Sequence, residues 1–170
     1  VVAKSLSSQN ALVQQLQARE VSRVYEALVY GVMDRSGRID APIARNRDNR
    51  LKMAVQTAGK EAITHYRPLA QFGEHTQVEL SLETGRTHQI RVHMQYLGHP
   101  IIGDTTYGGG FKMPRNKRPD LIARLDSMPR QALHARRLSL AHPKDTRRVS
   151  FESDLPADMV ALLDCLAAKS

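Results

Sequence analysis

The chain has 170 residues and a net charge of +8, with 18 arginines and 7 lysines making up its 25 basic residues. That length gives a single domain, 1–170, able to bury a core of its own, and arginine-rich basicity without a low-complexity tail favours a nucleic-acid partner. One cysteine, Cys165, excludes an internal disulfide and a cysteine zinc cluster; with no visible signal peptide and no apolar run of membrane-spanning length, a cytoplasmic protein is expected.

The chain opens with Val1-Val2-Ala3-Lys4, which reads as the end of a strand that begins upstream. Ser7 or Ser8 is placed to cap a helix with Leu12, Val13 and Leu16 on its inner face. Val24 to Val29 alternates as a strand, with Tyr25, Ala27 and Val29 on one face and Val24, Glu26 and Leu28 on the other. Residues 33–52 read as loop with short extended pieces, in which Arg45, Arg47, Arg50 and Lys52 face only Asp48. Met53 to Thr57 and Ala62 to Phe72 read as strands joined by a tight turn at Gly59. Val78, Leu80 and Leu82 alternate with polar neighbours and mark a strand with one buried face.

A glycine turn follows at Gly85, then a helix from His88 with Ile90, Met94 and Leu97 as its buried stripe and Thr84 or Thr87 as its cap. Arg86 lies in the turn and Arg91 beside the buried stripe, so the segment reads as a place for anions. Lys112, Arg115, Lys117 and Arg118 occupy a Gly/Pro-rich loop with no acid among residues 111–119, a candidate RNA or DNA contact. A short helix from Pro119 to Met128, strands from Leu133 to Ala141 and Arg148 to Ser153, and a helix after Pro156 complete the chain. Strands outnumber helices and short turns join them. The expected class is α+β, with a mainly antiparallel (mixed) sheet and flanking helices.

Several chemistries are excluded by pattern. Gly108-Gly109-Gly110 lacks the lysine and hydroxyl of a phosphate-binding loop, and no Gly-x-Ser-x-Gly elbow exists. His88 and His93 are five apart and point about 140° away from each other on a helix, so no metal site is expected.

The residues as a set resemble the RluA-type pseudouridine synthases, most closely the RluD-like branch. The resemblance runs through Arg23-Val24-Tyr25-Glu26-Ala27, Met53-Ala54-Val55, Gly59-Lys60, Thr64-His65-Tyr66 and Thr84 to Met94. It continues through His99-Pro100, Gly103-Asp104, Tyr107-Gly108-Gly109, Gln131 to Ala135 and His142-Pro143. It implies the catalytic-domain fold of that family and isomerisation of uridine to pseudouridine in large-subunit ribosomal RNA, without a cofactor and by a monomer. It implies that Tyr25 stacks on the uracil and helps remove the C5 proton, while Arg91 orients the catalytic aspartate. Arg86, the cations at 45, 47 and 50 and those at 112–118 would hold RNA. The family's aspartate lies in a His-Arg-Leu-Asp motif whose place would fall upstream of Val1. The resemblance therefore also implies an N-terminally truncated catalytic domain, inactive alone, with Arg91 left without its carboxylate and Asp104 structural. The alternative is a non-catalytic RNA-binding module.

Overall fold

The structure is a computed structural model that describes residues 1–168. Twelve elements follow one another: α1 (Leu6–Gln17), β1 (Ser22–Tyr30), β2 (Gly37–Asp40), β3 (Ile43–Arg45), β4 (Met53–Val55), β5 (Ile63–Phe72), β6 (His75–Leu82), α2 (Gln89–Tyr96), α3 (Pro119–Asp126), β7 (Leu133–Ala141), β8 (Arg148–Glu152) and α4 (Ala157–Ala167). Six strands form one sheet in the order β2-β5-β6-β1-β7-β8, and β3 and β4 form a separate hairpin. Among the described residues every strand pairing is antiparallel, and helices flank the sheet, as expected for the α+β class.

β1 lies at the centre of this sheet. Its four consecutive residues Ala27 to Tyr30 are all buried, which requires cover on both faces. The main core joins them to Val78 and Leu80 of β6, to Ile90 and Met94 of α2, and to apolar residues of α3 and α4. A second cluster, Ile43, Ala62, Val92 and Tyr107, fastens α2 to the β3–β4 hairpin. A third, built on Leu12, Val21 and Leu140, seats α1 on the ends of β1 and β7.

Four local expectations are corrected. Ser5, rather than Ser7 or Ser8, caps α1, its hydroxyl accepting from the Ser8 N–H at 3.3 Å. Only Leu12 of the α1 face is buried; Val13 and Leu16 are 42% and 44% exposed, because the helix rests on the sheet along one narrow line. β4 pairs with β3 and not with β5, since Gly59 folds the intervening turn back against the Ile43 backbone, where a Cβ would lie 2.6 Å from the carbonyl carbon. Neither Thr84 nor Thr87 caps α2, whose first turn has no side-chain cap.

Candidate active site

Strand register puts Tyr25 and α2 on one face of the sheet. Tyr25 lies opposite Leu80 of β6 and Ala135 of β7. Thr64 of β5 lies opposite Leu82, two residues from Leu80 and so on the same face. Two side chains of α2 bond that Thr64 hydroxyl: Gln89 Nε2 donates to it at 3.0 Å, and His93 Nδ1 lies 2.9 Å from it. The third apolar cluster places α1 on this face too, beside the start of β1 and over β7. A trough therefore runs between α1 and α2, with Arg23 and Tyr25 on its floor. It opens into a cavity of about 280 Å³ bounded by Leu12, Leu16, Tyr25 and Ala135, and another of about 460 Å³ bounded by Arg19, Arg23, Gly85 and Arg86. A larger cavity of about 570 Å³ lies between the β5–β6 turn and Arg115–Arg118, away from Tyr25, and Arg91 lines none of these three.

No side chain caps α2; a buried amide at its first residue ties the helix start to the preceding turn and to β5. Gln89 Oε1 accepts from the Thr84 hydroxyl at 2.8 Å and the Arg86 N–H at 2.9 Å, while Nε2 also donates to the Ile63 carbonyl at 2.9 Å. One side chain thus ties turn, helix and strand together. The residue before the helix, His88, has φ 56 and ψ 21, a left-handed conformation uncommon outside glycine.

Arg91 is not left without a carboxylate, contrary to expectation. Its Nε and Nη2 donate to the two oxygens of Asp104, both at 2.7 Å, with side-chain exposures of 15% and 1%. Asp104 Oδ1 also accepts from the Thr106 and Tyr107 N–H groups at 3.1 Å. The guanidinium carbon lies 4.8 Å from the centre of the Tyr107 ring. Hydrogen bonding to Asp104 raises the already high pKa of Arg91, so this cation is permanent and fixed in orientation, and Nη1 takes no part in the pair. Sequence reasoning treated Asp104 as structural and missed the pairing. The only signal was its place in Gly103-Asp104, because contact between residues 13 positions apart depends on how the loop folds.

Tyr107 is the hub of a short chain of bonds. Its hydroxyl accepts from the Met53 N–H at 2.9 Å and lies 2.9 Å from His88 Nδ1. With one proton to give, the hydroxyl is best satisfied by donating to His88. Desolvation and then the Arg91 charge push the His88 pKa below 6.5, keeping the ring neutral.

The expected RNA-contacting cations fall into two groups and one single residue. Arg45, Arg47 and Arg50 are exposed around the β3–β4 hairpin, where Arg45 Nη1 donates to the Arg50 carbonyl at 2.7 Å. Lys112, Arg115 and Lys117 are exposed. The Lys112 ammonium sits 4.9 Å from the Tyr30 ring centre, and Arg115 approaches Glu74 at 3.6 Å with its side chain 93% exposed. Arg118 differs: its guanidinium binds Asp120 and the Ala168 carbonyl, leaving the side chain 16% exposed. That pairing holds the Asp120 carboxyl down at about 2. Arg86 Nε donates to the Glu61 carbonyl at 2.8 Å beside the trough. Among the described residues no group of three or more His, Cys, Asp or Glu is placed to hold a metal ion, and no helix is long and apolar enough to cross a membrane.

Residues 1–96 match the family described as RNA pseudouridylate synthase. The chain is 54% identical over 166 residues to ribosomal large subunit pseudouridine synthase D of Pseudomonas aeruginosa, covering 98% of the chain and 52% of that relative. It is 48% identical over 162 residues to the protein of the same name from Vibrio cholerae, covering 95% and 50%. The chain spans about half the length of the curated relatives it matches. Among solved structures it resembles human RNA pseudouridylate synthase domain containing 4, with TM-score 0.76 and 25% identity over 95% of this chain and 68% of that one. It also resembles human RNA pseudouridylate synthase domain containing 1, with TM-score 0.70 and 27% identity over 99% and 74%.

Proposed function

The chain belongs to the RNA pseudouridylate synthase family, and from that premise we propose that its trough is the tyrosine–arginine side of a site that isomerises uridines in large-subunit ribosomal RNA. The observation that carries this reading is the common sheet face: Tyr25 lies on the floor between two helices, and α2, standing over the same face, carries an immobilised Arg91.

The isomerisation breaks the bond from the ribose C1′ to N1 of uracil and forms one from C1′ to C5. C5 loses a proton and N1 gains one, so no atom enters or leaves. The base must be unstacked from its strand to be reached, and an aromatic ring on the floor offers it a replacement stacking partner. Tyr25 supplies that ring, and its hydroxyl is suited to help move the C5 proton. Arg91, clamped by Asp104 through Nε and Nη2, presents its remaining edge to orient a reacting carboxylate. The cations of the β3–β4 hairpin, of residues 112–117 and of Arg86 add phosphate contacts. The protein acts as a monomer in the cytoplasm.

The test uses the full-length gene product that carries this sequence, with ribosomal RNA scored for pseudouridine by carbodiimide-blocked primer extension. Conversion is expected, and Tyr25→Phe should slow it at least about a hundredfold while leaving RNA affinity within a few-fold. RNA bound without conversion would establish a binding module instead, and full activity in the Phe variant would remove Tyr25 from the chemistry.

A further inference from the structure

Among the described residues, the one buried side-chain nitrogen or oxygen without a hydrogen-bond partner is Nε of Arg23. The rest of that guanidinium is little better served. Nη2 reaches the Glu83 carbonyl at 3.4 Å, a long and weak contact. Nη1 lies against Gly85, where a Cβ would come within 2.4 Å of it. The acid that lines the same cavity, Glu83, is already engaged by His65, Arg19 and Arg38. Other shielded arginines are paired: Arg91 with Asp104, Arg118 with Asp120, Arg136 with Glu26. A partly desolvated cation with open donors is unfavourable unless an anion completes it.

Position says which anion. Arg23 precedes Tyr25 by two residues, so the two side chains rise from the same face about 7 Å apart along the strand. Arg23 borders both cavities of the trough, the one containing Tyr25 and the one containing Arg86. We propose that Arg23 grips a backbone phosphate of the RNA beside the base held at Tyr25, with Arg86 as second cation. This deepens, and rests on, the functional reading above. A planar fork matches a phosphate through two parallel bonds, and the absent side chain at Gly85 leaves room for Nη1 against the turn. Arg23 is thus a positioning residue: it fixes where the sugar stands relative to the tyrosine ring.

The experiment compares wild type with Arg23→Met, Arg23→Lys and, as an exposed control, Arg35→Met, whose parent side chain is 89% exposed. One readout is binding of a fluorescent stem-loop RNA with uridines in its loop, across a salt series. The other is the melting temperature with inorganic phosphate against chloride at equal ionic strength. For R23M, RNA affinity should fall about tenfold and the logarithmic salt slope should drop by about one, with the melting temperature in chloride no lower than wild type. R23K should fall between, and R35M should match wild type. Phosphate at about ten times its dissociation constant should raise the wild-type melting temperature by about 3–6 °C and leave R23M unmoved.

A lower melting temperature for R23M with unchanged salt slope and phosphate response would assign Arg23 a structural role and overturn the proposal. RNA binding by wild type with both R23M responses intact would also overturn it, while leaving the functional reading standing. An Arg23-dependent phosphate response in a protein that binds no RNA would do the reverse: the anion site would stand and the reading of its ligand would fall.

Discussion

Replacing Asp104 with Asn is the most direct test of how the candidate site is held together. The substitution keeps one carbonyl oxygen and nearly the same volume, but sets an amide N–H₂ against the Arg91 N–H donors. Asp104 is 1% exposed and Arg91 15%, so the broken pair can recover little hydration. Removing one partner of a buried ion pair costs about 3–5 kcal/mol, and the partial access of Arg91 argues for the lower end, about 3 kcal/mol. Asp104→Ala also strips the acceptor from the Thr106 and Tyr107 N–H groups, of which the second is buried, adding about 1–2 kcal/mol. For a chain of this size 3 kcal/mol corresponds to a melting temperature lower by about 6–12 °C. The assay is urea unfolding at constant m-value for D104N, for Arg91→Met and for the double variant. The two single losses should fail to add by at least about 2 kcal/mol, because each alone strands a charge that the double variant does not. A D104N loss below about 1 kcal/mol, or strict additivity, would refute the claim that Arg91 is locked by this pair.

Three further outcomes are expected. Burial depresses the pKa of His93 and of His75 below 6.5, so the unfolded chain takes up their protons first. Stability should hold above pH 6.5 and decline as pH falls below it toward the folded-state values; a melting temperature flat from pH 7 to 5 would contradict this. Gly109→Ala would place a Cβ 1.7 Å from the Ile101 carbonyl oxygen, whereas the same change at Gly110 meets nothing within 4 Å. Chemical denaturation should show a loss of about 2 kcal/mol or more for the first and almost none for the second. Arg118→Met should lower the melting temperature with little effect on the salt slope of RNA binding, while Arg115→Met should do the opposite, because Arg118 is bound to Asp120 and Ala168 and Arg115 is 93% exposed.

Much of the fold was legible because it is local. The period-two pattern of Val78, Leu80 and Leu82 gives β6, and the run from Val24 to Val29 gives β1, although burial from Ala27 to Tyr30 covers both faces. The stripe of Ile90 and Met94 gives α2, although burial there extends to Gln89, Val92 and His93 because the short helix is wedged between the sheet and the β3–β4 hairpin. Where two hydroxyls or two strand partners were equally good on paper, the outcome was different: Ser5 won over Ser7 and Ser8, β3 over β5, and neither threonine caps α2.

The sequence by itself determined which elements form, since side-chain periodicity along the backbone selects helix or strand within a few residues, and its motifs identified Tyr25 and Arg91 as residues to follow. Tertiary structure alone decided what those residues meet. Asp104 reaches Arg91 through a turn at Gly103, whose φ of 78 no periodicity announces. Arg23, an unremarked residue in a strand, becomes an open guanidinium only when β6 and its turn fold over it. Pairing energies depend on distance and burial, and both are set by packing between segments far apart in the chain.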